Sequence, residues 1–247
     1  MILSKVYEWL IFNLFQPECP LCRLAAGGDG QTLGSGLCPG CAHDIPRLTG
    51  HLCRCGLPLS SAVATSDERP PLCGRCLRHP PPFDRVVAPL VYDFPLDRLV
   101  LGYKQQRRLQ LERPLLHLWR QSLRGLPAPR PDLLVPVPLH WRRLWWRGFN
   151  PALQLALAAG EEFGVPVQHS LVRQRATPSQ QYLTAAARRR NLHRAIRAHP
   201  LPPGLHVALV DDVVTTGSTA RAASEALLQA GACRVDVWAL ARTLPAP

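Results

Sequence analysis

Short apolar runs alternate with longer amphipathic stretches over the last two thirds of the chain. Apolar runs bounded by turn residues predict strands near 86–92, 132–137, 165–170, 206–214 and 234–241. Apolar positions at helical spacing predict helices near 95–105, 112–124, 151–163, 185–198 and 218–230. Alternation of this kind predicts an α/β fold, with a mainly parallel sheet and helices on both faces.

The first third of the chain has a different pattern. An apolar stretch at 6–15 is interrupted by Glu8 and Asn13, which predicts a short amphipathic helix and neither a membrane span nor a signal peptide. We therefore expect a cytoplasmic protein with no membrane insertion. Beyond that helix, large apolar residues are scarce, as in modules that need metal ions to fold. The pattern divides the chain into a module at 1–79 and an α/β domain at 84–245.

Eight of the nine cysteines form four close pairs in the first module. The pairs are Cys19/Cys22, Cys38/Cys41, Cys53/Cys55 and Cys73/Cys76. A tight turn lets two nearby thiolates bind one ion, and two such pairs complete a tetrahedral zinc site. Four pairs suffice for two structural zinc ions in a double zinc ribbon, and a reducing compartment argues against disulfides. Sequential and interleaved combinations of the pairs both remain open.

Some cysteine and histidine positions depart from this scheme. Only one residue separates Cys53 from Cys55, a spacing that predicts a strained knuckle. His51 and His79 lie nearby as alternative ligands, although two surface histidines are the simpler interpretation. Cys233 stands alone after a predicted helix, and we expect it to be a buried small apolar residue.

The formal net charge of +12 is concentrated in one region of the chain. Residues 1–80 carry 7 basic and 6 acidic groups, whereas residues 130–200 carry 11 arginines against three acidic residues. A local excess of this kind predicts an anionic partner, such as phosphate, pyrophosphate or nucleic acid.

The predicted strand 206–214 leads into a loop rich in hydroxyl groups and then into a helix. A helix N-terminus offers N–H groups to a phosphate, and a glycine allows close approach. The loop residues are Thr215, Thr216, Gly217, Ser218 and Thr219. The preceding Asp211 and Asp212 suit the two hydroxyls of a ribose, so the segment predicts a phosphoribosyl site. An ordinary strand–loop–helix is the alternative, and a Walker loop is excluded because no Gly-Lys-Ser or Gly-Lys-Thr follows.

An arginine-rich segment follows the predicted strand 132–137. We expect Arg142, Arg143 and Arg147 to lie on a loop at the same sheet edge as the 215–219 loop, before a helix that begins at Asn150-Pro151. Cations at that edge suit a pyrophosphate, and a solvated basic loop is the alternative.

Three tryptophans are interleaved with these arginines. Trp141, Trp145 and Trp146 have the composition of a surface that stacks the bases of a single nucleic-acid strand. Packing against the cysteine module explains them equally well. The first interpretation favours a non-catalytic adaptor that holds single-stranded DNA.

The run from Val207 to Thr219 resembles the thirteen-residue signature of type I phosphoribosyltransferases. Together with the cysteine pairs ahead of it, this makes the whole chain similar to the ComF family of DNA-uptake proteins, and to its GntX-like branch. The resemblance implies that the two acids bind the ribose hydroxyls and that the 215–219 loop binds the 5-phosphate. It also implies a magnesium ion between ribose and pyrophosphate. Arg147 to Asn150 matches a short family motif at the pyrophosphate loop.

Two further segments match family positions. Residues 173–181, which include Arg175, resemble a flexible loop that closes over the substrate. Tyr103-Lys104 matches another position, and Lys104 is one of only two lysines in the chain. A surface loop and a helix-surface lysine are the alternatives.

The resemblance implies a protein of DNA uptake and use that binds phosphoribosyl pyrophosphate. Its implied partners are that ligand, single-stranded DNA and other DNA-uptake proteins. No residue stands out as a nucleophile or general base, so phosphoribosyl transfer stays open. A nucleobase-salvage enzyme, a third class, would need a base-recognising hood that the sequence does not identify.

Overall fold

The computed structural model of the chain describes residues 18–26, 36–59, 71–125, 130–173 and 196–245. The chain divides into two compact units, the first with residues 1–46 and 93–121 and the second with residues 47–92 and 122–247. The division into sequence modules at 79–84 stays a prediction. The helix predicted at 6–15 lies outside the described residues.

The regular elements confirm most of the pattern predicted from hydrophobic spacing. In chain order the helices are α1 Pro39–His43, α2 Gly74–Arg78, α3 Leu96–Gln105, α4 Glu112–Leu123, α5 Trp141–Arg147, α6 Pro151–Phe163 and α7 Ser218–Gln229. The strands are β1 Arg85–Val87, β2 Leu90–Val91, β3 Leu133–Pro136, β4 Leu171–Arg173, β5 Ile196–Ala198, β6 His206–Val214 and β7 Arg234–Arg242.

The first unit combines a cysteine-bearing segment with helix α3 and most of α4. A Cβ added at Gly102 of α3 would lie 2.6 Å from Leu111, so glycine lets the helix lie close to the turn before α4. Gly36 lies against Pro114 of α4 in the same way, at 3.6 Å. Trp119 is fully buried at the centre of this unit.

The second unit is built on a parallel sheet with the strand order β1-β7-β6-β3. Strand β2 also pairs with β7, further along the same edge as β1. The predicted strand 86–92 is thus two short pieces, and Pro89, which has no N–H to donate, lies between them. Because all five strands are parallel, their carboxyl ends meet at one edge of the sheet.

Helices cover both faces of this sheet. Val207 and Leu209 of β6 lie in one buried cluster with Ala223 and Leu227 of α7. Leu134 of β3 points to the opposite face, where it lies 3.8 Å from a Cβ placed on Gly160 of α6. Alanine-rich helix faces allow this close packing, and the predicted fold class is confirmed.

The secondary structure after helix α6 differs from the prediction. The strand predicted at 165–170 is a single bridge between Val167 and Leu134, and the strand itself begins later, at β4. β4 pairs antiparallel with β5, so the helix predicted at 185–198 is wrong at its last three residues. Leu171 and Ile196 are buried in the core, which favours strand pairing there. Residues 174–195 lie outside the described residues.

Across the described ranges, none of the helices combines the length and apolar character that a membrane crossing would require.

Candidate functional site

The carboxyl end of β6 leads directly into the N-terminus of α7. Residues 206–210 are buried and Asp211 to Val213 are half-buried, so the strand emerges from the core at its two acids. Gly217 begins the helix with φ +74°, a left-handed conformation that favours glycine. As a glycine, the N-cap residue Gly217 has no side chain with which to cap the helix. The N–H groups of its first turn are therefore positioned to bind an anion.

An open pocket of about 220 Å³ lies at this strand–helix junction. Its lining residues are Asp211, Val213, Val214, Thr215, Gly217, Ser218, Thr219 and Ala220. A carboxylate and the amide-lined turn therefore face the same space. Thr216 is not among the lining residues, but its Oγ1 lies 2.9 Å from Ser218 Oγ and accepts from the Ser218 N–H at 3.4 Å.

The two adjacent acids have different positions. Asp211 lines the pocket and its Oδ1 accepts from the Asp212 N–H at 2.8 Å. Asp212 is not among the residues that line the described pocket, and its Oδ1 accepts from the Val213 N–H at 2.6 Å. These backbone hydrogen bonds fix the orientation of both carboxylates at the end of the strand.

The basic segment after β3 forms a helix, which corrects the prediction of a loop for Arg142, Arg143 and Arg147. His140 caps this helix α5, since its Nδ1 accepts from the Arg142 N–H at 3.3 Å. Gly148 ends it in a left-handed conformation with φ +85°. The helix has no buried residue, which explains why hydrophobic spacing did not predict it.

The predicted start of α6 is confirmed and it anchors the basic segment. Asn150 Oδ1 accepts from the Ala152 N–H at 3.1 Å, as an N-cap does. Its Nδ2 donates to the Val137 carbonyl at 3.0 Å. Val137 N–H in turn donates to the Val210 carbonyl at 2.8 Å, so the segment is tied to the strand that carries the acids.

Several cations converge on His140, which is only 7% exposed. Burial lowers the pKa of His140, and the charges of Arg173, Arg142 and Arg143 lower it further. Arg173 lies at the end of β4. Burial and Arg143 lower the pKa of its guanidinium, while the Asp211 carboxylate opposes them. Arginines from two different elements therefore act electrostatically on His140, and the pocket acid Asp211 acts on one of them, an arrangement that suits a polyanion.

The tryptophans of α5 are exposed. The exposed fractions are 64% for Trp141, 85% for Trp145 and 54% for Trp146. The Arg142 guanidinium lies 5.3 Å from the Trp141 ring centroid. Their exposure argues against the interpretation that these tryptophans pack on the cysteine module and favours a surface of mixed aromatic and basic character.

Lys104 and Arg175 were also predicted to take part in the site. Lys104 is half-buried near the end of α3 in the first unit. Arg175 lies outside the described residues.

The eight paired cysteines form two groups of four, in which all four Sγ atoms lie within 4.8 Å of one another. The first tetrad is Cys19, Cys22, Cys38 and Cys41, and the second tetrad is Cys53, Cys55, Cys73 and Cys76. The pairs therefore combine sequentially. Four sulfur ligands at this spacing could hold one metal ion in each tetrad.

The pKa values of the thiols indicate that each tetrad needs a cation to hold four thiolates. Burial would raise the pKa of Cys19, but backbone N–H donors outweigh it and lower the pKa to about 7. In the second tetrad, burial is likewise outweighed at Cys73, whose pKa falls to about 7. Burial and neighbouring sulfurs raise the pKa of Cys41 and of Cys76 far above the usual range. Four thiolates so close together repel one another unless a cation lies between them.

The short Cys53-Arg54-Cys55 spacing fits a tight turn in the second tetrad. Cys53 N–H donates to the Leu57 carbonyl at 2.8 Å, and Gly56 N–H donates to the Cys53 carbonyl at 2.7 Å. Gly56 has φ +76°, which this turn requires.

The remaining histidines and cysteine of interest lie at the surface. His51 and His79 are exposed and are not members of either tetrad in the described chain. Cys233 is exposed as well, so the prediction of a buried residue is wrong. Its Sγ donates to the Gly204 carbonyl at 3.0 Å.

Two arginines near the 215–219 loop were not predicted. Arg221 in the first turn of α7 donates to the carbonyls of His79 at 2.5 Å and Pro80 at 2.8 Å. Arg242, the last residue of β7, is 4% exposed and donates to backbone carbonyls on both sides of it. The one available signal for Arg242 was an arginine that directly follows the apolar run 237–241 of β7.

Comparison with known proteins places this site in a family context. Residues 147–244 match the family model of the phosphoribosyl transferase domain. The chain is 40% identical over 231 residues to the DNA utilization protein YhgH of Salmonella typhi, covering 92% of this chain and 97% of that protein. It is 33% identical over 242 residues to competence protein F of Haemophilus influenzae, covering 94% and 100%.

A solved structure with detectable similarity is the glutamine phosphoribosylpyrophosphate amidotransferase from B. subtilis, complexed with ADP and GMP. The two chains are 20% identical, with a TM-score of 0.41, over 57% of this chain and 30% of that one.

Proposed function

Because the chain belongs to the ComF family, with DNA utilization protein YhgH and competence protein F as relatives, we propose that it binds phosphoribosyl pyrophosphate with magnesium and acts in DNA uptake and use. The observation that carries this proposal is the pocket shared by the Asp211 carboxylate and the amide-lined 215–219 loop.

Each part of the ligand has a complementary part of the site. The 5-phosphate accepts from the first-turn N–H groups of α7 and from the hydroxyls of Thr215, Ser218 and Thr219. The ribose hydroxyls donate to the carboxylates of Asp211 and Asp212. The pyrophosphate lies towards the cations Arg143 and Arg173, whose influence on His140 supports this placement.

Magnesium would be held by ligand oxygens with the help of the two carboxylates, since it prefers oxygen ligands and phosphates. It would supply positive charge to the pyrophosphate as a leaving group. Arg143 and Arg173 would add to that stabilisation. Whether departure of pyrophosphate is followed by transfer to an acceptor is a separate step, and the binding proposal does not require it.

The two tetrads hold one structural zinc ion each in this proposal. Thiolate-rich sets favour zinc, and four protein ligands leave no open position for water. Metal analysis of the purified full chain should give close to two zinc ions per molecule.

Calorimetric titration of phosphoribosyl pyrophosphate with magnesium tests the binding proposal. We expect Asp211→Asn combined with Asp212→Asn to weaken affinity by about tenfold to a hundredfold, because hydrogen bonds to charged groups contribute about 1.5–3 kcal/mol. Asp132→Asn is the matched control. Its Oδ2 accepts from the His206 N–H at the opposite edge of the sheet, and an amide oxygen can replace it. Equal affinity in all three proteins would refute the assignment.

A second candidate function is single-stranded DNA binding at α5. The exposed Trp145, Trp146 and the arginines between the tryptophans favour it, because aromatic rings stack bases while arginines pair with phosphates.

This candidate predicts a strong dependence of oligonucleotide affinity on salt. Removal of Arg142 and Arg143 should lower the slope of log affinity against log salt by about 0.7 for each phosphate that is no longer neutralised. Trp145→Ala should weaken affinity about fivefold or more, whereas Leu157→Ala, an exposed apolar residue of α6, serves as control. Fluorescence anisotropy measures the oligonucleotide affinity of each variant and its dependence on salt. An oligonucleotide affinity that does not change with salt concentration and is the same in these variants would contradict single-stranded DNA binding at α5.

A further inference from the structure

Arg242 connects the second tetrad to the 215–219 loop. Its Nε donates to the Cys55 carbonyl at 3.0 Å. Its Nη1 donates to the Val214 carbonyl at 2.8 Å and also to the Thr215 carbonyl. One planar guanidinium therefore holds the backbone of a cysteine knuckle and the backbone at which the loop begins.

The backbone around the knuckle lies close to the same strands. Val86 N–H of β1 donates to the Arg54 carbonyl at 2.8 Å. A Cβ added at Gly56 would lie 3.0 Å from Val86 and 3.6 Å from the Arg242 side chain. The knuckle is thus packed directly on the sheet, and any movement of it would displace the acceptor of Arg242.

A second connection runs parallel to the first. Both terminal nitrogens of Arg221 in α7 donate hydrogen bonds to backbone carbonyls just after α2, the helix that carries Cys76. A pocket open to solvent is lined by Cys55 and Cys76 from the tetrad and by Thr216 and Gly217 from the loop. Arg221 and Arg242 also line this pocket. The two arginines connect the two segments that line it.

The buried side chain of Arg242 also lies next to the tetrad, which can balance its charge. The side chain is 4% exposed, and in the described part of the chain its hydrogen-bond acceptors are carbonyls, with no carboxylate among them. Four thiolates with one zinc ion carry a net charge of about −2. A buried cation needs such a counter-charge, and the metal-loaded tetrad supplies it at close range.

We infer that Arg242 is a positioning residue that couples metal binding at the second tetrad to ligand binding at the 215–219 loop. The inference rests on the proposed function, since the ligand is the phosphoribosyl compound. The knuckle holds the guanidinium and the guanidinium fixes the carbonyls at the start of the loop, so a metal ion bound by the tetrad would stabilise both through the knuckle. Coupling of this kind is reciprocal, so the ligand should also stabilise the bound metal.

The reciprocal effect can be measured on the unmodified full chain. Zinc release to a chromogenic chelator is followed with and without phosphoribosyl pyrophosphate and magnesium, and the phase that disappears in Cys55→Ser belongs to the second tetrad. We expect saturating ligand to slow that phase at least about fivefold. Calorimetry on the same sample shows whether the ligand binds.

Arg242→Lys tests the residue itself, because lysine keeps the charge but lacks the planar fork that spans both carbonyl groups. We expect ligand affinity to fall at least about fivefold and the ligand to lose its effect on zinc release. Arg234→Lys, at the other end of the same strand, is the matched control and should behave like the unmodified chain. A general loss of stability would speed zinc release without removing its dependence on ligand.

The outcomes separate this inference from the proposed function. Ligand binding with no effect on zinc release, or an Arg242→Lys variant that retains the effect, would overturn the coupling and leave the function intact. Absence of ligand binding to the unmodified chain would overturn both. If Arg242→Lys does not fold, the measurement on the unmodified chain still decides.

Discussion

At the scale of single residues, backbone conformation decides what the site can bind. Gly217 has φ +74° at the point where β6 turns into α7, and nothing lies within 4 Å of a Cβ added there. Space alone would admit alanine. The left-handed backbone is what requires glycine, because it directs the first-turn N–H groups into the pocket that Asp211 lines.

Gly217→Ala should therefore lower the free energy of unfolding by about 1–2 kcal/mol and also weaken phosphoribosyl pyrophosphate binding. Gly164→Ala provides the comparison, since Gly164 ends α6 with φ +69° and equally open surroundings. Urea denaturation should show similar losses for both variants, whereas calorimetry should show weaker binding only for Gly217→Ala. Equal affinities would show that the loop conformation does not matter for the ligand.

At the scale of elements, a helix or strand can be predicted from sequence when it buries many regularly spaced apolar residues. Strand β6 and helix α6 have the bounds predicted from sequence, because each buries a long regular set of apolar residues and α6 has Asn150 and Gly164 at its ends. Helix α5 has no buried residue and begins at a histidine cap, so the spacing of apolar residues did not predict it.

The candidate site follows the same rule. The 215–219 loop and the cysteine pairs are local in sequence and were readable as motifs. Arg242 joins them only through the fold, since the Cys55 carbonyl to which it donates is 187 positions away. Strands β4 and β5 have three residues each, too few to show alternation, and their partners are distant in sequence.

Asn150 is the element boundary on which the position of the basic helix depends. Asn150→Ala removes the α6 cap and the hydrogen bond to Val137, so the free energy of unfolding should fall by about 1–2 kcal/mol. Asn150→Asp keeps the cap acceptor and loses only the donor, so its loss should be smaller. Chemical denaturation ranks the three proteins, and an equal loss in both variants would contradict the role of the cap.

At the scale of the whole second unit, the sheet has two edges with different chemistry. The carboxyl edge carries the pocket lined by Asp211. At the other edge, the fully buried Asp236 of β7 lies 2.8 Å from Arg85 and 3.2 Å from His206. Burial would raise the pKa of Asp236, but hydrogen bonds with His206 and Arg85 and their charges outweigh it, so the pKa lies below its ordinary value.

This cluster predicts a contribution to acid stability with a definite sign. The unfolded carboxyl takes up a proton near its ordinary pKa, about 3.9, whereas the folded one does so only at lower pH. The stabilisation is therefore complete above that value and is lost as pH falls through the folded pKa. Asp236→Asn should lose about 2 kcal/mol or more at neutral pH, and the difference from the unmodified chain should shrink in acid.

Denaturation by urea between pH 3 and pH 7 measures that difference. Asp44→Asn, a change at an exposed carboxylate of the first unit, serves as control and should track the unmodified chain. A difference between Asp236→Asn and the unmodified chain that stays constant with pH would show that the cluster is not the source.

The hydrogen bonds from Val86 and Arg242 to the Cys53-Arg54-Cys55 knuckle have an evolutionary consequence. A recombination event that replaced the segment of the second tetrad would leave the Val86 N–H and the Arg242 Nε without their acceptors, at a cost of about 1–3 kcal/mol for each group. Proteins in which this segment has been exchanged for an unrelated one should therefore be selected against. The segment of the second tetrad and the sheet should be inherited together. Chimaeras joined after residue 80 should express poorly unless the donor ribbon presents carbonyls at both places.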